Sequence, residues 1–440
     1  MKRVLILTYY WPPSGGAGVQ RWLKFVKYMR GFGIEPVVYT VQNGEMPVVD
    51  ESLVKEVPAG TEILRTPIWE PYTIYKRFIG RKKEDKINAS FLNENKKTGV
   101  TEKISIWIRG NFFIPDARKF WINPSIAFLN DYLLKNKVDY VISSGPPHSM
   151  HLIAAGLKKK HPSLPWVADF RDPWTNIDFY EKLMLTPLAD AKHHRLEKQV
   201  LLESDCVLSI GQAMSDEFKA MYVAAGGTSL SKFEVITNGY DQEDVLLTAP
   251  KKDARFSIAH IGTLVKDRNP NVLWQVLSKL CKDQASFADQ LEIKLVGKVD
   301  LFVKEEIEKF GLSKYVRKID YLPHNEVMVE QQRSRVLLLL VNNTKNAKGI
   351  LTGKVFEYMA AKCPILAIGP VDGELATILH ETGTGAISDF SDALTLEKNI
   401  LAFFNGTTTA RKEEKVEQYS RKALTGKLCD LLKRLDQRVS

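Results

Sequence analysis

The feature that most constrains the fold is an alternation of short β-rich runs with amphipathic helical stretches along the whole chain. Such alternation is typical of parallel sheets whose two faces are covered by helices. A helix with Trp22, Phe25 and Met29 on one face is predicted over residues 19–30, ended by glycines. Strands are predicted in the first half at residues 3–8, 36–40, 140–144, 166–170, 207–210 and 234–237.

The pattern is interrupted once, at residues 244–255, where periodicity is lost and charges cluster around Pro250. It then restarts, with strands predicted at 256–261, 292–296, 335–341 and 365–368 and helices at 271–280 and 355–361. A chain of 440 residues also suits two domains better than one core. The sequence therefore predicts an α/β protein of two Rossmann-like doubly wound domains.

The predicted domains are 1–245, with an insertion at about 72–121, and 246–412. Residues 413–440 are expected to pack back on the first domain through a helical run at 414–435.

Composition limits the functional classes. The four cysteines form no metal-ligand or C-x-x-C spacing, which favours reduced thiols in a reducing compartment. The apolar run after Met1 is too short for a signal peptide and none is long enough to span a bilayer, so a cytoplasmic protein is expected. The net charge of +10 favours anionic partners, but the basic residues form no recognised nucleic-acid module, and no nucleic-acid partner is predicted.

Basic and aromatic residues are interleaved between Tyr72 and Trp121. This combination suits contact with an anionic membrane surface, which would make the protein peripheral at the inner face of the plasma membrane. The alternative is a solvated loop beside an ordinary buried helix.

A glycine-rich turn, residues 12–18, joins the first strand to the first helix. In a doubly wound sheet this turn lies at the ligand-binding edge, and Gly16 and Gly18 permit close approach of a diphosphate. Arg21 stands where a dinucleotide fingerprint requires its third glycine, which disfavours a hydride-transfer enzyme. A tight turn without a ligand is the alternative.

A second loop with glycines, residues 349–353, leads into a predicted helix that begins near Lys354. Amides at the helix start and the adjacent lysine could neutralise two phosphates without a metal. Glu357 in the first turn could reach ribose hydroxyls, or it could merely complement the helix dipole. The chain has no D-x-D pair and no cluster of histidines and carboxylates, so neither a metal nor a cofactor is predicted.

Together these motifs resemble the family 4 glycosyltransferases of bacterial surface polysaccharide biosynthesis, which have the GT-B fold of two Rossmann-like domains facing a central cleft. The motifs that carry the resemblance are residues 4–18, 166–174, 235–241, 261–264 and 354–360.

The resemblance implies a donor site. Gly16 and Gly18 would meet the donor diphosphate or its sugar, and Arg268 stands where the family carries a phosphate-binding lysine. Glu357 matches the glutamate that binds the ribose. The run that ends in Thr352, Gly353 and Lys354 matches the backbone that binds the diphosphate.

The chain also departs from the family pattern. Gly349 occupies the position of the glutamate that holds the donor sugar, and Thr263 replaces an arginine of the donor site. The family histidine near the donor sugar has no clean counterpart; residues 143–148 stand in that stretch.

Residues 169–172 end a predicted strand at the same edge. Asp172 could orient or deprotonate an acceptor hydroxyl and Arg171 could bind an acidic group, or the two could form a structural ion pair. His148 is a further candidate for a base or a sugar-binding residue, with an exposed helix-capping histidine as the alternative.

The predicted function is transfer of a sugar from a nucleotide-sugar donor to a saccharide or lipid-linked acceptor. The family implies retention of anomeric configuration, and the absence of a D-x-D pair predicts that no metal is required. Two alternatives stay open: a nucleotide-sugar 2-epimerase, and a non-catalytic GT-B scaffold that binds sugars.

Overall fold

The chain divides into two compact units. The first unit is Met1–Thr237 with Leu424–Ser440, and the second unit is Asn238–Ala423. The structure, a computed structural model, describes residues 1–46, 48–70, 100–177, 179–244 and 250–439. Most of the predicted insertion (71–99) and part of the predicted linker (245–249) therefore lie outside the described residues.

The first unit contains a parallel sheet of seven strands in the order β3-β2-β1-β4-β5-β6-β7. The strands are β1 (Lys2–Leu7), β2 (Ile34–Val41), β3 (Glu62–Thr66), β4 (Tyr140–Gly145), β5 (Trp166–Phe170), β6 (Cys206–Ser209) and β7 (Phe233–Val235). Its first six helices are α1 (Ala17–Met29), α2 (Val100–Phe112), α3 (Ile122–Lys135), α4 (Ser149–Lys160), α5 (Pro187–Glu203) and α6 (Gln212–Ala224).

The second unit repeats this plan with a parallel sheet of six strands in the order β10-β9-β8-β11-β12-β13. The strands are β8 (Phe256–Ile261), β9 (Leu291–Val296), β10 (Val316–Ile319), β11 (Val336–Leu340), β12 (Ile365–Ile368) and β13 (Gly385–Ser388). The helices are α7 (Asn271–Asp283), α8 (Ala285–Gln290), α9 (Leu301–Lys309), α10 (His324–Arg333), α11 (Lys354–Ala360), α12 (Glu374–Thr382), α13 (Ala393–Phe404) and α14 (Glu413–Glu417).

Each sheet is buried on both faces, as a parallel sheet must be. In β1, Leu5 and Leu7 belong to one hydrophobic cluster while Val4 and Ile6 belong to the cluster on the other face. The prediction of two doubly wound α/β domains is confirmed.

The prediction of one helical run at 414–435 is wrong in its continuity. The chain forms α14, then a break, then α15 (Arg421–Val439). At the break the backbone pairs with Tyr240, whose N–H donates to Tyr419 O (3.1 Å) and whose O accepts from Arg421 N (2.7 Å). Backbone groups used in this pairing cannot continue a helical hydrogen-bond ladder. Beyond the break, Leu424, Leu428 and Leu432 are buried in the core of the first unit.

All four cysteines are free thiols, in agreement with the sequence. Among the described helices, none combines the length and the apolar character needed to cross a bilayer.

A buried ion pair ties the first unit together beneath its glycine turn. Arg21 on α1 and Asp169 at the end of β5 are 1% and 0% exposed, and Arg21 Nη2 lies 2.8 Å from Asp169 Oδ1. Asp169 Oδ2 also accepts from Trp22 Nε1 and Ser144 Oγ, both at 2.9 Å. The two Nη atoms of Arg21 donate to the carbonyls of Ile236 and Thr237, each at 2.9 Å.

Because removal of one partner leaves an uncompensated buried charge, Asp169→Asn is expected to lower the unfolding free energy of the first unit by about 3–5 kcal/mol. Denaturant unfolding followed by tryptophan emission measures this, since seven of the eight tryptophans lie in this unit. The matched control is Lys159→Ala, which removes an exposed lysine 3.8 Å from Glu203 and should change little. Equal stability of the two variants would contradict the role given to Asp169.

Candidate functional site

Strand order places a candidate ligand site in each unit. In each sheet the order in which strands are added reverses beside the strand that comes first in sequence. This point lies between β1 and β4 in the first unit and between β8 and β11 in the second. Ligands of open parallel sheets bind outside the carboxyl ends of the strands at this switch point. In the second unit, Gly262 follows β8 and Asn342 follows β11. In the first unit the glycine turn follows β1, and His148 follows β4.

In the second unit, Gly262 and Lys354 lie against each other. Gly262 has φ +121°, and a Cβ at this position would lie 2.6 Å from Lys354 Nζ. The lysine side chain therefore crosses directly over a backbone position that has no side chain. Lys354 was predicted to belong to the donor site because of the glycine-containing loop before it in sequence. Its contact with Gly262 was not predicted.

Arg268 brings a second positive charge to the same place. It lies in a short 3₁₀ turn, Lys266–Arg268, and its Nε donates to Asn342 Oδ1 at 2.7 Å. Burial, and next the nearby charge of Arg268, lower the pKa of Lys354 to about 8, while Glu357 acts in the opposite direction. Two cations that repel each other in a half-buried position form a site that is complementary to an anion.

The loop before α11 adds a polar group. Thr352 Oγ1 is buried and has no hydrogen-bond partner in the described structure. Helix α11 itself has seven residues, Lys354–Ala360, and no side-chain cap. With so few aligned peptide units, its dipole adds less to anion binding than the sequence suggested. The positive charge at this position therefore comes mainly from the side chains of Lys354 and Arg268.

Glu357 lies on α11 and is exposed to solvent. Gln331 Nε2 on α10 donates to its Oε2 in a long hydrogen bond of 3.4 Å. Two other candidates are also exposed: Gly353 in the loop before α11, and Thr263 in the turn after β8. All six predicted donor residues of the second unit thus lie on its β8–β11 edge or on α11.

Beneath these cations lies His260 near the end of β8, with 2% of its surface exposed. Burial first, and the charge of Lys354 second, lower its pKa to about 3. The imidazole is therefore neutral at ordinary pH and adds no charge to the site. Neither His260 nor Asn342 was predicted from the sequence. The signal that could have identified them is a polar residue at or just after the end of a mostly apolar strand.

In the first unit, Arg171 ties together the turns that follow β1 and β4. Its Nη1 donates to Gly18 O at 2.8 Å and its Nη2 donates to Pro146 O. Gly16 precedes α1 with φ +88°. Burial lowers the pKa of Arg171, and the carboxylates of Asp172 and Asp169 counteract this effect. These contacts position the glycine turn; binding of an acceptor by Arg171 stays a prediction.

His148 is buried rather than exposed, with 9% of its surface accessible. Its ring stacks on Trp174 with centroids 4.5 Å apart and an interplanar angle of 4°. Burial holds its pKa well below the usual value, with the nearby His151 as the next cause. The alternative of an exposed capping histidine is therefore wrong: the residue precedes α4 without a side-chain cap. Trp174 was quoted in the sequence motif but was given no role there.

Asp172 follows Arg171 at partial exposure. Among the residues that the structure describes, no group of three or more histidines, cysteines and carboxylates is arranged to hold a metal ion.

The second unit is similar in sequence to a known protein family. Residues 247–423 match the family of glycosyl transferases group 1. This stretch covers nearly the whole second unit, including every candidate residue of its site. No curated protein matches the sequence of the chain.

Solved structures resemble the whole chain at low sequence identity. Sucrose-phosphate synthase from Thermosynechococcus elongatus has a TM-score of 0.60 at 13% identity, with 100% of both chains covered. The lipopolysaccharide outer core galactosyltransferase WaaB has a TM-score of 0.59 at 12% identity, with 99% of this chain and 100% of WaaB covered. HepE from Anabaena, in complex with UDP-glucose, has a TM-score of 0.52 at 11% identity over 100% and 98% of the two chains. These similarities show the fold, which is of the GT-B type.

The contact between Gly262 and Lys354 leads to a stability prediction. Alanine at residue 262 would hold a φ that L-residues rarely adopt, so Gly262→Ala should lower the unfolding free energy of the second unit by about 1–3 kcal/mol. The control is Gly353→Ala, because Gly353 has φ −56° and no atom within 4 Å of an added Cβ. Calorimetry of both variants measures the difference. Equal unfolding temperatures would contradict the strained geometry at Gly262.

Proposed function

We propose that the protein is a glycosyltransferase of the family 4 type, which transfers a sugar from a nucleotide-sugar donor to a saccharide or lipid-linked acceptor. The match of the second unit to glycosyl transferases group 1 supports this proposal. So does the GT-B fold, which the chain shares with a galactosyltransferase and with a protein in complex with UDP-glucose.

The observation that carries the proposal is the pair of cations formed by Lys354, which lies over Gly262, and Arg268, whose charge acts on Lys354. A nucleotide-sugar presents two adjacent phosphates, and the diphosphate gains charge as the sugar departs. Positive groups that are already in place stabilise this developing charge without reorganisation during the reaction. We place the diphosphate against Lys354 and Arg268, near the unpartnered Thr352 hydroxyl, and the ribose at Glu357.

We further propose that the reaction is metal-independent and retains anomeric configuration. The two cations supply the charge that a divalent ion would otherwise bring to the diphosphate. In such a mechanism the departing phosphate accepts the proton of the acceptor hydroxyl, so a side-chain base is not needed. Asp172 and His148 in the first unit are then candidates for orienting the acceptor. Arg171 and the glycine turn would lie beside that acceptor.

Two alternatives differ from this proposal in their products. A 2-epimerase would convert the donor sugar without transferring it to an acceptor. A sugar-binding scaffold without activity would bind nucleoside diphosphates poorly or not at all.

A screen of nucleotide-sugars with saccharide acceptors, followed by mass spectrometry, tests the proposal. We expect one donor to yield both a glycosylated acceptor and a nucleoside diphosphate, with and without chelator. Lys354→Met and Glu357→Ala should bind the donor about 10- to 100-fold more weakly, since each loses a hydrogen bond that involves a charged group.

The matched control for Lys354→Met is Lys348→Met. Lys348 lies in the preceding loop, is 66% exposed and pairs with Asp372 at 2.5 Å. The Lys348→Met variant should retain the donor affinity of the parent protein. Absence of binding to every nucleoside diphosphate in calorimetry would overturn the enzyme proposal, and loss of activity in chelator that a divalent ion restores would overturn its metal-free form.

The lowered pKa of Lys354, about 8, predicts how affinity depends on pH. An anion favours the charged ammonium, so binding raises this pKa and the site takes up a proton above pH 8. Affinity for UDP should therefore be highest below this pKa and fall about tenfold between pH 7 and pH 9. Calorimetric titration measures the effect. Lys354→Arg stays charged throughout and should abolish the fall; a pH dependence that persists in Lys354→Arg would assign it to another group.

A further inference from the structure

Most exposed aromatic side chains of the described structure lie in one stretch of the first unit. Seven aromatic residues of the described structure are exposed, and one of them, Tyr321, lies in the second unit. The other six fall between residues 69 and 179: Trp69, Trp107, Phe112, Phe120, Phe128 and Phe179. Single exposed apolar residues are ordinary on a protein surface, but a concentration of large rings marks an interaction site.

Four of these six rings, Trp69, Trp107, Phe112 and Phe120, make ring contacts in two groups. Trp69 packs edge-on against Phe120 with centroids 4.8 Å apart, and Phe120 lies 6.2 Å from Phe113. On α2, Trp107 packs against Phe112 at 5.7 Å. We call these five residues and Lys119 the aromatic patch.

Tryptophan usage singles out the same surface. Of the eight tryptophans in the chain, six are buried with at most 3% of their surface exposed. The other two, Trp69 and Trp107, are 56% and 39% exposed, and both belong to the aromatic patch. The protein thus buries every tryptophan except those on this surface.

Lysines lie among and beside the rings. Lys119 Nζ is 4.9 Å from the ring centroid of Phe120 and 5.5 Å from that of Phe113, and it donates to Phe112 O at 2.6 Å. Burial lowers the pKa of Lys119, and the charge of Lys192 on α5 lowers it further. The positive charge of Lys119 is therefore part of the aromatic patch.

The carboxyl end of helix α2, which carries exposed rings, is hydrogen-bonded to the segment around Met184. Asn111 Nδ2 donates to Met184 O at 3.2 Å, and Thr186 N donates to Asn111 Oδ1 at 2.7 Å. A Cβ at Gly110 would lie 2.8 Å from Leu183 O, so the helix approaches this segment closely. The neighbouring Met184 and Leu188 are themselves 40% and 86% exposed, which extends the apolar surface.

We propose that the aromatic patch binds the surface of an anionic lipid bilayer, with its rings at headgroup depth and Lys119 and Lys192 against lipid phosphates. Protein interfaces are enriched in aromatic residues but depleted in lysine, whereas a membrane interface takes both. A lysine side chain can also bury its apolar stem beside aromatic rings while its charged end stays in the polar headgroup layer of the membrane. The net charge of +10 acts in the same direction by drawing the protein towards an anionic surface.

The test uses the full chain with vesicles of phosphatidylcholine alone or with about one third phosphatidylglycerol, the anionic share expected to dominate binding. We expect binding to the anionic vesicles and a blue shift of tryptophan emission. Brominated lipids should quench that emission, and Trp69→Phe with Trp107→Phe should remove the quenching.

A ring-deletion variant separates the patch from general charge attraction. Phe112→Ser with Phe120→Ser should weaken binding to anionic vesicles at least about tenfold. The control Tyr321→Ser removes an aromatic ring that is 86% exposed in the second unit and should bind as the parent does. Circular dichroism and thermal unfolding confirm that each variant is folded. Lys119→Gln with Lys192→Gln should weaken binding to anionic vesicles only.

Three outcomes would overturn the proposal: no binding to anionic vesicles, equal binding to neutral and anionic vesicles, or equal binding by the ring-deletion variant and the parent. The first would favour a protein partner for the patch. No donor or acceptor is present in these measurements, so their result is independent of the proposed glycosyltransfer.

Discussion

The buried pair of Arg21 and Asp169 is the constraint on which the first unit depends. It joins α1 to the end of β5, and its remaining hydrogen bonds reach β4 through Ser144 and the chain beyond β7 through two carbonyls. Arg171 follows Asp169 by two residues and holds the glycine turn. One desolvated charge pair therefore fixes the elements that surround the candidate acceptor residues. It also explains why arginine stands where a dinucleotide-binding turn has glycine.

The second unit contains two groups of charges that are arranged differently. Lys294 on β9 is fully buried and compensated, with Asp253 at 2.6 Å and Glu330 at 2.9 Å. At the carboxyl end, Lys354 and Arg268 are close enough to repel each other. Like charges that are held close together cost folding free energy, and groups with shifted pKa values concentrate where a protein binds or reacts with a ligand. The contrast between the neutralised Lys294 and the neighbouring cations Lys354 and Arg268 is the physical basis for proposing the diphosphate beside the latter.

Sequence patterns predicted the central strands well and the edge strands poorly. Strands β5, β8 and β12 were predicted to the residue because they are wholly buried and mostly apolar, although β5 carries Asp169 and β8 carries His260. The missed strands β3, β10 and β13 are all sheet edges, with partly exposed side chains and no distinct period. The site was predictable as a set of loops at one sheet edge. Its specific contacts, such as Lys354 over Gly262 or His148 on Trp174, join distant residues and leave no periodic signal.

The last helix has a consequence for how the protein is made. Residues from Leu424 onward belong to the first unit, and Leu428, Leu432 and Leu435 fill its core beside strands from the beginning of the chain. Domains of most proteins complete their folding in order as they leave the ribosome. Here the first unit lacks part of its interior until residues 424–435 have been translated. The second unit, whose residues lie entirely between, is complete earlier and can fold first.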